Sequence, residues 1–232
     1  MAVAFTELAT ISTSTANAES YLAATAGTPT AGDLLICFVT ANATTAVGGM
    51  TGTWTWTKLT QFTYNGGADS MYVFWAYASA ATSTQPTFTC TGDAASSCEI
   101  YTLRVTGSSG VQVPCIRQWR TATGATANPS VAMYGAINTG SGCASMVAEN
   151  GTAAGAVFTN PTSWAADVEA GTGTVPKHAT AISSRASGET GSTITWTCAE
   201  TKSWGLIVLE ICLLGGFTRM PGGGAYSSPL MY

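Results

Sequence analysis

The chain carries one histidine, His178, which limits the acid–base chemistry that side chains can perform near neutral pH. A hydrolytic triad built on His178 would need a serine and an acid brought to it by the fold, and a multi-histidine metal site is excluded. The sequence contains no G-x-S-x-G elbow, phosphate-binding glycine loop or H-E-x-x-H pair. His178 follows Pro176 at the start of a predicted strand, which favours a solvated strand-end histidine over a catalytic one.

Carboxylates are the second group that could do chemistry, because glycoside hydrolysis needs two of them at a defined separation. Asp167 and Glu169 would share one face of a strand, and Asp93 and Glu99 bracket a loop. Such pairs are more often a solvated face than an acid–base pair, and no calcium loop dense in Asp and Asn is present. We therefore predict that the protein is not an enzyme and has no catalytic residues, cofactor or metal.

Cysteine is the third reactive type, with seven residues at positions 37, 90, 98, 115, 143, 198 and 212. No C-x-x-C pair occurs, which argues against zinc. An odd number of cysteines and the absence of an export signal favour buried free thiols, which pack as small hydrophobes. Thiols that are exposed to oxygen outside a cell could oxidise later, so the sequence leaves open whether disulfides form.

Two tryptophans in the stretch GTWTWTKL, Trp54 and Trp56, would point the same way on one predicted strand, Trp54–Thr63. Aromatic pairs on a sheet face can stack on sugars, or they can fill a core. Trp56 has a counterpart, Trp164, in a later repeat, whereas Trp54 is replaced there by Thr162. We therefore expect Trp56 in the core and take Trp54 as the glycan-contact candidate.

The elements that must position these residues are short strands, since β-branched and aromatic residues alternate with small or polar ones between Gly, Asn and Pro. Asp33–Thr40, Cys98–Thr106 and Trp204–Cys212 are among the predicted strands. The pattern predicts an all-β fold, an antiparallel β-sandwich or jelly roll. GLIVLEICLL is too short for a membrane span and predicts a buried strand.

Charge is sparse, because only 9% of the residues are charged, with a net charge of −4, against roughly 25% charged residues in ordinary soluble domains. The scattered basic residues provide no surface for nucleic acid. A surface with so few charged residues indicates that neighbouring subunits cover much of it, although a Thr/Ser-rich extracellular domain would have a similar composition. The start of the chain has no signal-peptide pattern, so we expect synthesis in a cytoplasm without export and no membrane partner.

An internal duplication of about 108 residues is indicated by VTANATTA over VAENGTAA, Trp56 over Trp164 and FTC over WTC. We predict a first unit over 1–107 and a second over 111–212, forming either two small sandwiches or one shared sandwich. Asn42 and Asn150, both in glycosylation patterns, align with each other and are interpreted as turn residues. Cys198 aligns with Cys90, and after a loop that is two residues shorter in the second unit Trp204 aligns with Cys98. We therefore expect both thiols to be buried and not to bridge.

Residues 213–232 form a Gly/Pro-rich C-terminal tail without strand periodicity. Composition alone favours disorder, but apolar and aromatic anchors favour a tail that lies on a neighbouring subunit. The interface candidates are Phe217, Met220, Tyr226, Leu230 and Tyr232.

The run AGDLLICFVTA, followed by WTWTKLTQ, MYVFWAYASAATSTQPTFT and EIYTLRVTG, resembles a β-sandwich module of tailed-bacteriophage virion proteins. Gly32, Asp33, Trp56, Leu59, Trp75, Tyr77, Pro86 and Phe88 carry the resemblance, which covers 32–107 well and 147–211 weakly. Cys37 and Cys90 depart from the pattern, and the second unit lacks the Gly-Asp pair.

The resemblance implies a structural virion protein located on the particle. We expect a capsid decoration or cement protein that binds major capsid or other virion proteins, and sister copies in a homo-oligomer. A tail or head-fibre piece, or a module that binds host glycans, is the alternative.

Overall fold

The computed structural model describes residues 3–15, 17–24, 27–42, 47–83, 85–91, 95, 97–107, 113–150, 158–172 and 178–214. Apart from one 3-10 turn at Asn65–Gly67, the regular structure in these ranges consists of β-strands. All pairings between the described strands are antiparallel. The prediction of an all-β, antiparallel chain is therefore confirmed.

The first half of the chain, defined as the described residues of 3–107, contains β1 (Val3–Ser14), β2 (Ser20–Leu22), β3 (Leu34–Ala41), β4 (Val47–Thr51), β5 (Thr57–Tyr64), β6 (Asp69–Tyr77), β7 (Thr87–Thr91) and β8 (Cys98–Gly107). The second half, the described residues of 113–214, contains β9 (Val113–Gly124), β10 (Ser130–Ala132), β11 (Gly142–Asn150), β12 (Phe158–Thr159), β13 (Ala165–Thr172), β14 (His178–Arg185), β15 (Thr193–Thr195), β16 (Thr197–Cys198) and β17 (Trp204–Leu214).

Each half contributes one five-stranded sheet. Sheet one has the order β1-β8-β3-β6-β5, and sheet two, taken from the β9 edge, has the order β9-β17-β11-β14-β13. In both sheets the first strand of the half lies at an edge beside the last strand of that half. The shorter strands form further small sheets, β2-β7-β4 in the first half and β10-β15 and β12-β16 in the second.

The two five-stranded sheets pack face to face, and their facing side chains form a central core that includes Leu34, Ile36, Phe38, Met71, Tyr101 and Leu103 from sheet one and Ala144, Met146, Ile182, Ile207, Leu209 and Ile211 from sheet two. The small sheet of the first half covers the other face of sheet one over Tyr72, Phe74, Phe88, Cys90 and Ile100. In the second half Val131, Phe158, Ile194 and Trp196 cover Val147 and Val208. The architecture is therefore β-sandwich-like, with four layers and, among the described residues, three apolar cores between the layers and a fourth, smaller apolar cluster around Trp54.

The position of β3 at the centre of sheet one explains why its sequence does not alternate between apolar and polar residues. All eight of its residues are buried. Ile36 and Phe38 lie in the central core, whereas Cys37 and Val39 lie under the small sheet of the first half. A strand that is covered on both faces has apolar residues at successive positions, and the apolar run of β17 has the same cause.

Glycine allows the two sheets to approach closely at Gly205 of β17. A Cβ atom there would lie 2.6 Å from the Met71 sulfur and 2.9 Å from the Tyr64 ring, both in sheet one. At the edges of the sheets, β1 packs against β13 and β5 packs against β9.

The predicted interface candidates Phe217, Met220, Tyr226, Leu230 and Tyr232 lie outside the described residues, so the role of the tail stays a prediction. Among the residues that are described, no helix is long and apolar enough to cross a membrane.

Candidate functional site

Trp54 is the residue for which structure and sequence disagree most clearly. It is only 8% exposed and packs with Leu8, Leu35, Ala76 and Ala78, whereas Trp56 is partly exposed. The prediction that Trp54 would be the more exposed of the two tryptophans is therefore wrong. The reason is local: the predicted strand Trp54–Thr63 begins only at Thr57, so strand alternation does not orient the residues before it.

A cleft of about 320 Å³ opens beside Trp54, at the end of β6. Its aromatic lining comes from Trp54, Trp75 and Tyr77. The Trp75 and Tyr77 rings are 5.5 Å apart at 76°, and Tyr77 is 39% exposed. Hydroxyl groups complete the lining, from Thr53, Thr55, Thr57 and Ser79.

This aromatic cleft combines ring surfaces with neutral hydroxyls and has no charged residue in its lining. Such a lining can stack on an apolar ring face and exchange hydrogen bonds with hydroxyl groups. It provides neither a nucleophile–base pair nor a pair of carboxylates.

A second cleft, of about 300 Å³, lies in the second half and is lined by Thr162, Ser163, Arg185, Glu189 and Thr195, among others. Thr162 and Ser163 are the residues that the repeat aligns with Trp54 and Thr55. Arg185 Nη1 lies 3.1 Å from Glu189 Oε2, which also accepts a hydrogen bond from Trp164 Nε1. The equivalent position therefore carries an ion pair instead of aromatic rings.

Glu189 is held ionised by its partners. Burial alone would raise its pKa, but hydrogen bonds from Trp164 and from the Gly191 amide, together with the charge of Arg185, lower the pKa below its ordinary value. A carboxylate with this many donors is suited to positioning the cleft wall rather than to proton transfer.

The predicted carboxylate pairs do not assemble into an acid–base site. Asp167 accepts a hydrogen bond from Ser184, whereas Glu169 accepts one from the Phe158 amide. Burial raises the pKa of Asp167 to about 6. Asp93 lies outside the described residues, and Glu99 is buried at the contact between the sheets. His178 is the first residue of β14, as the sequence predicted for its backbone.

A buried polar cluster joins the two halves around Asp69. The fully buried carboxylate of Asp69 accepts hydrogen bonds of 2.7 Å from the side-chain amides of Asn42, Asn65 and Asn150. Asn42 and Asn150, which the sequence suggested only as turn residues, therefore bind one acceptor from opposite halves. Burial, followed by the nearby carboxylates of Asp69, Glu99 and Glu149, raises the pKa of Tyr64 in the same cluster.

Five of the cysteines, at positions 37, 90, 98, 143 and 198, are buried and form no disulfide. The expectation that Cys90 and Cys98 would be buried and unbridged is confirmed. Burial raises the pKa of Cys37, Cys143 and Cys198 to about 12, so these three thiols are protonated and inert at neutral pH.

Sequence reasoning missed the two remaining cysteines as a pair. Cys115 and Cys212 face each other in the register of β9 and β17, and their sulfur atoms are 3.0 Å apart. Both are only partly buried. Their separation of 97 positions hides the pairing in the sequence; a strand-pairing prediction for β9 and β17 would have revealed it.

Comparison with known protein families, curated protein sequences and solved structures finds no match to this chain. Within the described ranges, no group of three or more His, Cys, Asp or Glu residues is arranged to hold a metal ion.

Proposed function

We propose that the protein is a structural virion component, a capsid decoration or cement protein that binds shell subunits and sister copies. The observation that carries the proposal is the placement of the residues on which the phage-module resemblance rests. They build the scaffold: Phe88 lies in one core, and Leu59 and Trp75 pack against another.

The Gly-Asp pair of that resemblance has an architectural role as well. Gly32 has a φ of +94°, which favours glycine, and it places Asp33 immediately before the central strand β3. Asp33 Oδ2 accepts a hydrogen bond of 2.6 Å from the Thr30 amide and binds Arg104 of β8 at 2.5 Å. The motif residues thus fix the start of a buried strand instead of presenting reactive groups.

We also propose that each half is a jelly-roll unit and that the chain arose by internal duplication. A jelly roll pairs its strands in the order 1-8-3-6 in one sheet and 2-7-4-5 in the other. The first half has β1-β8-β3-β6 and β2-β7-β4, with β5 moved beside β6. The second half repeats this order as β9-β17-β11-β14. The edge contacts are also equivalent: the first strand of one half packs against the fifth strand of the other, as β1 does with β13 and β9 with β5.

The predicted tail started at residue 213, but Leu213 and Leu214 are paired in β17; residues 215–232 are therefore proposed to bind a neighbouring shell or sister subunit through their apolar anchors, which symmetry would repeat over the particle. Mass spectrometry of purified particles of the phage that encodes the chain should detect the protein at a fixed ratio to the major shell subunit. Deletion of Phe217–Tyr232 should release it, whereas Tyr134→Ser, at an exposed aromatic, should leave its occupancy unchanged. Absence from particles, or full occupancy without the tail, would contradict the proposal.

Binding of host glycans is the second candidate function, and the aromatic cleft favours it. Tyr77 and Trp75, rather than Trp54, offer the accessible ring surface there. Glycan-array binding that is lost in Trp75→Ala but retained in Tyr134→Ala, with both variants folded by circular dichroism, would support it. An array without any bound glycan would exclude this candidate.

A further inference from the structure

We propose that Cys115 and Cys212 are a specific oxidation site, at which a small disulfide compound converts the two thiols into a cross-strand disulfide between β9 and β17. Three observations support this: the register of the two strands, the distance between the two sulfur atoms, and the greater exposure of these two cysteines compared with the other five. The site is independent of the proposed virion role, because it depends only on the chemistry of these two strands.

The register brings the two residues together by backbone pairing. Cys115 is paired with Cys212, Pro114 with Leu213 and Ile116 with Ile211. With the sulfur atoms 3.0 Å apart, one thiol already donates a hydrogen bond to the other. Little side-chain movement separates this contact from a covalent bond of about 2.05 Å.

Accessibility singles out this pair among the seven cysteines. The five other thiols are buried, whereas Cys115 and Cys212 are partly exposed. An oxidant in solution should therefore react with these two residues more readily than with the five buried cysteines.

The surroundings assign different roles to the two thiols. A hydrogen bond from Cys115 lowers the pKa of Cys212 to about 7, and the charge of Arg117 acts in the same direction against burial and Glu210. The same hydrogen bond and burial raise the pKa of Cys115. Tyr77 also faces the pair, and its hydroxyl donates to the Pro114 carbonyl at 2.8 Å.

The reaction balances as two thiol–disulfide exchanges. The Cys212 thiolate attacks one sulfur of the small disulfide, whose S–S bond breaks and releases a small thiolate that takes up the proton lost by Cys212. Cys115 then loses its proton and attacks the Cys212 sulfur of the mixed disulfide, which releases the second small thiolate. Two protein thiols are oxidised, and one small disulfide is reduced to two thiols.

The test uses the intact chain with oxidised glutathione as the probe. Native thiol titration should detect two reactive cysteines, and peptide mapping after oxidation should find Cys115 joined to Cys212 within one chain. A mapped bond between any other cysteines, a bond between two chains, or no loss of thiols would overturn the proposal. This readout requires no variant and does not depend on virion assembly.

Two variants test the order of the steps. In Cys115→Ala the glutathione adduct should remain on Cys212, because no resolving thiol is present. Its formation at pH 7 should be roughly three-fold slower than in the wild type, since loss of the hydrogen bond lowers the thiolate fraction more than it raises nucleophilicity. Rapid adduct formation at Cys115 in Cys212→Ala, at the wild-type rate, would contradict this order.

Discussion

Asn150 of the second half donates its side-chain amide to the carboxylate of Asp69 in the first half, at 2.7 Å. Asn42, the residue that the repeat aligns with Asn150, donates to the other oxygen of the same carboxylate at 2.7 Å. Two equivalent asparagines therefore meet on a single buried acceptor. This carboxylate therefore joins the two halves through one buried group.

Substitution of Asp69 should therefore destabilise the whole chain. Asp69→Ala removes the acceptor of three amides, and we expect a loss of about 2–4 kcal/mol in the free energy of unfolding. Urea denaturation at pH 7 measures it. Glu200→Ala, at a surface pair with Lys202 separated by 3.6 Å, should change stability by less than about 0.5 kcal/mol. Equal effects of the two variants would contradict the role given to Asp69.

The close approach of the two sheets at Gly205 predicts that a larger residue at this position destabilises the fold. Gly205→Ala would place a methyl group against Met71 and Tyr64, and overpacking of this kind costs about 1–3 kcal/mol. Gly135→Ala is the matched control, because no atom lies within 4 Å of a Cβ added there. A lower Tm is expected for the first variant only. An unchanged Tm in Gly205→Ala would mean that the sheets can separate locally at little cost.

Asp167 should make stability depend on pH in an unusual direction. Its pKa is raised to about 6 in the folded chain, above the value of about 3.9 in an unfolded one. The protonated form is therefore favoured by folding, and the contribution of Asp167 to stability falls as pH rises from about 4 to about 6. Asp167→Asn should stabilise the protein at pH 7 by about 1–2 kcal/mol and gain nothing near pH 4. A gain that is independent of pH would refute this assignment.

Glu210 should have the opposite pH dependence. Burial would raise its pKa, but hydrogen bonds from Gln118, Arg117 and the Asn138 amide lower it. The stabilisation that ionised Glu210 gives to the folded chain is therefore fully present above its pKa in the unfolded chain, about 4.3. This stabilisation is lost as the pH falls through the pKa of Glu210 in the folded chain. Between pH 5 and pH 3 the wild type should lose more of its free energy of unfolding than Glu210→Gln, as measured by chemical denaturation at each pH. Parallel curves for the two proteins would exclude Glu210 as the source.

The sequence was sufficient to predict strands whose residues alternate or are uniformly apolar. Cys98–Thr106 was predicted and Cys98–Gly107 is found, and Asp33–Thr40 corresponds to Leu34–Ala41. Short outer strands such as Ser20–Leu22 were missed, because three residues carry too little periodicity. Trp54 was misjudged because its replacement by Thr162 in the second unit was taken as a sign of exposure, whereas Trp54 packs into a cluster with Leu8 and Leu35.

The candidate site was less predictable because its residues meet through long-range pairing. Nothing in the local sequence around Cys115 indicates Cys212, and the three asparagines on Asp69 come from separate loops and strand ends. Asn42 and Asn150 could be aligned with each other, but alignment does not reveal that both side chains bind one carboxylate. Such contacts depend on how two sheets are placed, which periodicity does not encode.

The central core between the five-stranded sheets has a consequence for how the chain can be divided. If residues 113–214 were expressed alone, Met146, Ile207 and Leu209 would face water, as would Ile36 and Phe38 in a fragment that ends at 107. Each fragment would expose a full sheet face and should aggregate or pair with its partner fragment. In the intact chain one covalent linker holds both sheet faces at a high effective concentration. The packing of the two sheets therefore does not depend on the protein concentration.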